Sequence, residues 1–582
     1  MELHYNAHVK SKIIFLFARV SLLLFCWLCN PCVEAKDSEV DYPSFSNQSY
    51  KIDLQVDTSA QYFTGRETVR FTNSTRRELD QINFHLYPNI GQEDEAFPSL
   101  SVQGVALPPF QYQLKKGESV RFALKARNSI LQIKLPFKLY PGRTLELIID
   151  FASRVPRMQR EETTLLANFL EEASDALSDE QRQRDSRDIF FACDQTMLLG
   201  YFYPLLAAPE TSTNNQGLAV GVGGMVSSEV AKYEVNVTTD SNVAVIGSGS
   251  LISSKIKEDK LVVQTFAGEN LRGFALAFGD HFKTIRQKVG NVEVAVHHVA
   301  GDEAVGAKIS LIAAGSLKSY SAAFGDYPFP QLNIVELPLP AGLGGIEFPG
   351  LVVIAQAYCV DFDSPEAARL PGMIRQQADV VKNALEFTTA QSIAYQWWGN
   401  LVGSDSQKTP FMDESLASFA ATYYFESVYG KEAGEQAINR QLKSAYQVYR
   451  SLGGIDLEVA KPTKDFRSLL QFSAIVQAKG AMLFHALRKE IGDDQFFGIL
   501  KQYSKKYRFR FASSNDLREE FMQAANYSNT IKSLFQRYLK EKKGDEDLGK
   551  PETMYFGSEE KPKGKKIGRV LGKIGRAAIL RY

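Results

Sequence analysis

Apolar and polar residues alternate with a period of two through most of the first half of the chain. Residues 50–57 (YKIDLQVD) alternate strictly, ETVRFTN at 67–73 continues the pattern, and ILQIKLPFKLYPGRTLELIIDF at 130–151 reads as two strands around a Pro-Gly turn. The same alternation returns at 233–266, with turns at Asp240-Ser241-Asn242 and Glu258-Asp259. Residues 42–288 are therefore predicted to form an N-terminal β domain. One insertion, 161–188, is polar, acidic and helix-prone, and reads as a solvated surface helix.

From about Asn291 the texture changes. Strands predicted at 292–299, 332–339 and 351–358 give way to helical runs at 366–387, 384–400, 435–452 and 478–492. Strands followed by helices predict an α+β domain over 291–543. Residues 544–582 are charged and Gly-rich and read as a flexible linker with a basic tail.

A chain of 582 residues is long for one domain, and 44% apolar with 23% charged residues fits folded domains rather than disorder. Lys10 and Lys12 precede an apolar run at 13–29, and Val33-Glu34-Ala35 suits signal peptidase. Residues 1–35 are thus expected to be an export signal, and the protein periplasmic, extracellular or membrane-associated. Arg19 inside the run leaves an uncleaved anchor open. No other stretch approaches the roughly 20 apolar residues of a spanning helix.

Net charge is zero, yet the last 22 residues hold eight Lys or Arg and no acid. There Ile567, Val570, Leu571, Ile574 and Ala578 share one helical face, so residues 561–582 are a candidate contact with an anionic membrane surface. Gly568, Gly572 and Gly575 each cost a helix about 1 kcal/mol, which leaves a disordered basic tail as the alternative. No nucleic-acid partner is expected. Beyond the signal only Cys193 and Cys359 remain; one disulfide and two buried thiols fit equally.

The chemistry concentrates at 391–414, QSIAYQWWGNLVGSDSQKTPFMDE. On a helix Gln391 and Tyr395 share a face one turn apart, and Glu414 opens the next helix. QWWGNLVGSD and DESLAS resemble segments of the membrane alanyl aminopeptidase family of gluzincins, whose H-E-x-x-H helix is followed after eighteen residues by a third ligand, a glutamate. Residues 396–413 supply the same spacing. The resemblance covers about 42–543. It implies a saddle-like antiparallel β domain, then a thermolysin-like α+β domain, with the family's C-terminal helical domain expected to be absent.

The resemblance also assigns positions. Gln391 and Tyr395 stand where the family has zinc-binding histidines, Ser392 where it has the general base, and Glu414 at the retained glutamate. Gln477, in Gln477-Ala478-Lys479-Gly480, stands where the family's oxyanion-stabilising tyrosine opens a helix. Gly344-Gly345-Ile346-Glu347-Phe348-Pro349 resembles the G-x-M-E-N motif. That likeness implies that Glu347 holds a peptide's free α-amino group while the strand of Gly344 and Gly345 pairs with its backbone. By themselves the residues also allow Glu347 to be an ordinary strand-edge carboxylate.

Zinc in a hydrolase needs three protein ligands and an open position. An amide, a phenol with pKa about 10 and one carboxylate form a poor set, and a serine hydroxyl is a poor base at neutral pH. The remaining histidines, His85, His281, His297, His298 and His485, include no i, i+4 pair, and adjacent His297 and His298 point to opposite faces of a predicted strand. The expectation is an exported, catalytically inactive homologue without bound zinc that binds peptide N-termini or a protein partner. A metallopeptidase with unorthodox ligands and a structural subunit of a surface complex are the alternatives.

Overall fold

The computed structural model describes residues 45–549 apart from 92–95, 109–119, 169–170, 172–183, 209–220, 258–259, 371 and 377. The expected signal, the basic tail and half of the acidic insertion lie outside the described residues.

Alternation becomes burial. In the strand Phe45–Asp57, Ile52, Leu54 and Val56 turn into the core while Lys51, Asp53 and Gln55 face solvent. This strand lies inside a seven-stranded sheet ordered Ser250–Ile256, Leu261–Leu271, Ala231–Asp240, Phe45–Asp57, Tyr62–Asn73, Thr144–Arg154, Leu100–Ala106. All pairings in it are antiparallel except that of Phe45–Asp57 with Ala231–Asp240, which is parallel. Two four-stranded sheets complete the N-terminal region.

The second region is built on a five-stranded mixed sheet ordered Phe282–Val289, Val292–Val299, Gln331–Leu337, Leu351–Ala355, Gly345–Phe348. The domain boundary expected after Lys288 therefore falls one strand too late. Phe282–Val289 turns tightly through Gly290, at φ +59°, and pairs with Val292–Val299, so its alternation belongs to the second sheet. Helices α1 (Glu303–Phe324) and α2 (Ala378–Ala394) pack on this sheet, α3 (Phe411–Tyr429) packs on both of them, and α4 (Gly480–Ile491) packs on α3.

Aromatic side chains fix where α2 ends. Trp397 is buried against Tyr320 and Tyr327 and donates its indole N–H to Gly325 O at 2.8 Å, while Trp398 packs on Phe324 and Tyr503. Arg272, buried at the end of the N-terminal sheet, fastens the two regions together. Its guanidinium donates to Ser228 O, Asn400 O and Arg510 O and covers the Phe511 ring.

α4 continues a helical run from Leu469–Phe472 through π-helical turns at Ser473–Lys479. Gln477, expected where a helix starts, thus sits in mid-helix. The π turns are held by Ser415 of α3, whose hydroxyl donates to Val476 O at 2.7 Å, and a Cβ on Gly480 would lie 2.1 Å from that hydroxyl. Fully buried Lys479 donates to Asp456 and to the carbonyls of Leu457 and Glu541, each at 2.8 Å.

The chain also stays folded beyond Lys543. Gly544–Asp547 forms a short helix, and Arg450 grips Asp545 with two hydrogen bonds of 2.8 Å, so the first residues of the expected linker belong to the body. Cys193 and Cys359 are buried free thiols.

Lys479→Met is expected to lower stability by roughly 3–5 kcal/mol, because it leaves Asp456 buried without its cation. Urea unfolding checks this.

Candidate functional site

Four elements converge on one cavity of about 180 Å³. The last turns of α2 supply Gln391 and Ser392, and Tyr395 follows one turn on, its N–H 3.3 Å from Gln391 O. The first turn of α3 supplies Asp413 and Glu414, where the unpaired N–H groups of a helix start favour negative charge. The edge strand Gly345–Phe348 supplies Glu347, and the π turns supply Gln477. All of these residues line the cavity, together with Gly345. Gly344 does not; its carbonyl accepts from Ala355 N at 2.8 Å within the sheet.

The side chains form one hydrogen-bonded network. Ser392 donates to Glu347 Oε1 at 2.6 Å. A Cβ at position 345 would lie 2.5 Å from the Ser392 hydroxyl, so a glycine there leaves room for this bond. Tyr395 donates its phenol proton to Glu414 Oε2, and Gln477 donates to the same oxygen at 2.8 Å. Gln391 points its amide at Ser418 Oγ, 2.9 Å away, and Ser418 donates to Glu414 O at 2.8 Å. Asp413 accepts from Ser406 and from the Glu414 backbone N–H.

Among the described residues none of Glu347, Asp413 and Glu414 has an ion-pair partner. Arg184 acts on Glu347 and Glu414 electrostatically while hydrogen-bonded to Asp188 and to Gly223 O. Burial, with a smaller push from Glu414, raises Glu347 from 4.5 to about 8, against the opposing bond from Ser392. Burial and then Glu414 raise Asp413 to about 7. Burial also raises Glu414, opposed by the bonds from Gln477 and Tyr395 and by Arg184.

The histidines lie elsewhere. His297 and His298 are buried in the strand Val292–Val299, and His485 sits 3.0 Å from the Thr422 hydroxyl. Among the described residues no group of three or more His, Cys, Asp or Glu side chains is arranged to hold a metal ion.

Two contributors escape sequence reasoning. Arg184 falls within the stretch read as a surface helix, yet it is buried and lines the cavity. Nothing local marks it, because the charge it serves is distant in the chain. Asp413 was also missed, although it adjoins Glu414 in the first turn of α3 and that adjacency is the signal that places both carboxyl groups at one helix end.

Comparison with known proteins follows the same lines. Residues 312–538 match the peptidase family M1 domain. Aminopeptidase 2 of Candida albicans is 24% identical over 51% of this chain and 31% of its own length. Aminopeptidase N of Lactococcus lactis subsp. lactis is 27% identical over 50% of this chain and 33% of its own. The alignments thus span about a third of these curated relatives. Among solved structures, an M1 zinc metallopeptidase from Deinococcus radiodurans superposes with a TM-score of 0.56 at 18% identity, covering 86% of this chain and 94% of its own. A mutant of that enzyme bound to a Tyr-Ser-Ala substrate gives 0.55 at 17% identity, with the same coverage of both chains. These structural likenesses are of fold.

The raised Glu347 makes a pH prediction. Between 4.5 and about 8 the folded protein binds a proton here that the unfolded chain has released, so stability falls as pH rises through that window. Glu347→Gln is expected to flatten this slope, read by urea denaturation at a series of pH values.

Proposed function

We propose that the chain is an inactive member of the membrane alanyl aminopeptidase family of gluzincins that binds amine-bearing ligands without hydrolysing them. The observation that carries this reading is the engagement of Glu414. Its Oε2 already accepts hydrogen bonds from Tyr395 and Gln477, the residues at a ligand position and at the oxyanion position of relatives.

The donor set does not fit zinc. A metal here would have to displace the phenol proton of Tyr395, whose pKa burial and Glu414 push well above its ordinary value. It would also have to turn the Gln391 amide away from Ser418. At the base position Ser392 spends its proton on Glu347 and offers no carboxylate to activate water. In this reading Glu347 anchors a free amino group, and the open edge of Gly345–Phe348 receives an extended backbone. Export through residues 1–35 and contact of 561–582 with an anionic membrane complete the proposal as features of the sequence.

Elemental mass spectrometry on protein purified without chelator or His-tag tests the reading. Less than about 0.1 zinc per chain after incubation with zinc is expected, since three intact ligands bind tightly. Stoichiometric zinc with chelator-sensitive release of amino acids from peptides would establish an enzyme instead. Binding of a free-amine peptide is expected to disappear in Glu347→Ala.

A further inference from the structure

Three of the four residues at altered positions have become hydrogen-bond donors to the acids that remain. Ser392 serves Glu347, while Tyr395 and Gln477 serve Glu414; Gln391 reaches the Glu414 backbone through Ser418. Each carboxylate keeps one oxygen, Glu347 Oε2 and Glu414 Oε1, that takes no hydrogen bond from another side chain among the described residues. Both acids face one cavity, close enough for Glu414 to raise the pKa of Glu347.

A second, independent observation concerns donors. Trp398 Nε1, Ser404 Oγ and Ser228 Oγ are buried without a partner, and all three residues line the same cavity at 1%, 6% and 8% exposure. An indole N–H can only donate, so it calls for an acceptor. Arg272, beside them, is occupied by three backbone carbonyls.

Among the described residues Glu347 and Glu414 each leave one carboxyl oxygen without a side-chain donor at the same cavity, so a guest carrying two cationic groups can engage both acids and a single ammonium only one. We infer that the cavity binds the head of a basic α-amino acid, free or as the first residue of a peptide. The α-ammonium lies on Glu347, the side-chain cation on Glu414, and the carbonyl or carboxylate oxygen toward Trp398, Ser404 and Ser228. The inference rests on the inactive reading, because Glu414 is available to an organic cation only where it does not ligate zinc.

Calorimetric titration of the full chain, with zinc content measured on the same sample, tests it. L-Lysinamide is expected to bind about tenfold tighter than L-alaninamide, the scale of one added charge pair. Nα-Acetyl-L-lysinamide should bind more weakly than either. Glu414→Gln should abolish the preference for lysinamide, and Tyr395→Phe, which keeps the carboxylate, should retain it. L-Lysine binding as tightly as its amide assigns the free amino acid; weaker binding assigns a peptide terminus. Metal-free protein that binds the two amides equally overturns this inference and leaves the inactive, amine-binding reading standing, whereas metal-free protein that binds neither overturns the amine-binding part of that reading as well. Stoichiometric zinc overturns both.

Discussion

The site depends on one electrostatic constraint: three carboxyl groups share a cavity, and no cation of the described protein is bonded to any of them. Removing an ionised carboxylate from water costs several kcal/mol. Against this, the start of α3 returns about 0.3–1 kcal/mol to Asp413 and Glu414, and a hydrogen bond to a charged group about 1.5–3 kcal/mol. Neutral donors from Ser392, Tyr395, Gln477 and Ser406 therefore offset the cost only in part. The acids rest close to their protonation boundary, with Glu347 at about 8 and Asp413 at about 7. Such a site favours a guest that brings positive charge.

Packing and buried hydrogen bonds hold the elements of the site together. Trp397 and Trp398 pin the end of α2 against α1, and burying each large side chain contributes roughly 1.5–3 kcal/mol. Arg272 locks the N-terminal sheet to the loop after α2, and Lys479 ties the helix carrying Gln477 to two distant backbone carbonyls. Ligand chemistry and packing reside on different residues here.

Much of the fold was legible because period-two and period-3.6 patterns report burial directly, as in Phe45–Asp57 and in α4, where Gly480, Leu483, Phe484 and Leu487 are buried. The boundary at Lys288 was misread because a strand's alternation does not say which sheet it joins; the tight turn at Gly290 decides that. Gln477 was expected at a helix start because the family resemblance places the corresponding residue there, just before Gly480. In the structure that glycine permits close approach of Ser415, and the helix runs through it.

By itself the sequence determined the identity of the site. The spacing from Gln391 to Glu414, the Gly-Gly-Ile-Glu segment and the amide and phenol at positions 391 and 395 are all local facts, and donor chemistry follows from residue type. Only the tertiary structure decided which partners these side chains meet. The Tyr395–Glu414 bond spans 19 residues, Ser392–Glu347 spans 45 and Gln477–Glu414 spans 63. Arg184 reaches the cavity from a stretch that reads as solvated surface. Hydrogen bonds and burial depend on which elements are brought together, and no local pattern encodes that meeting.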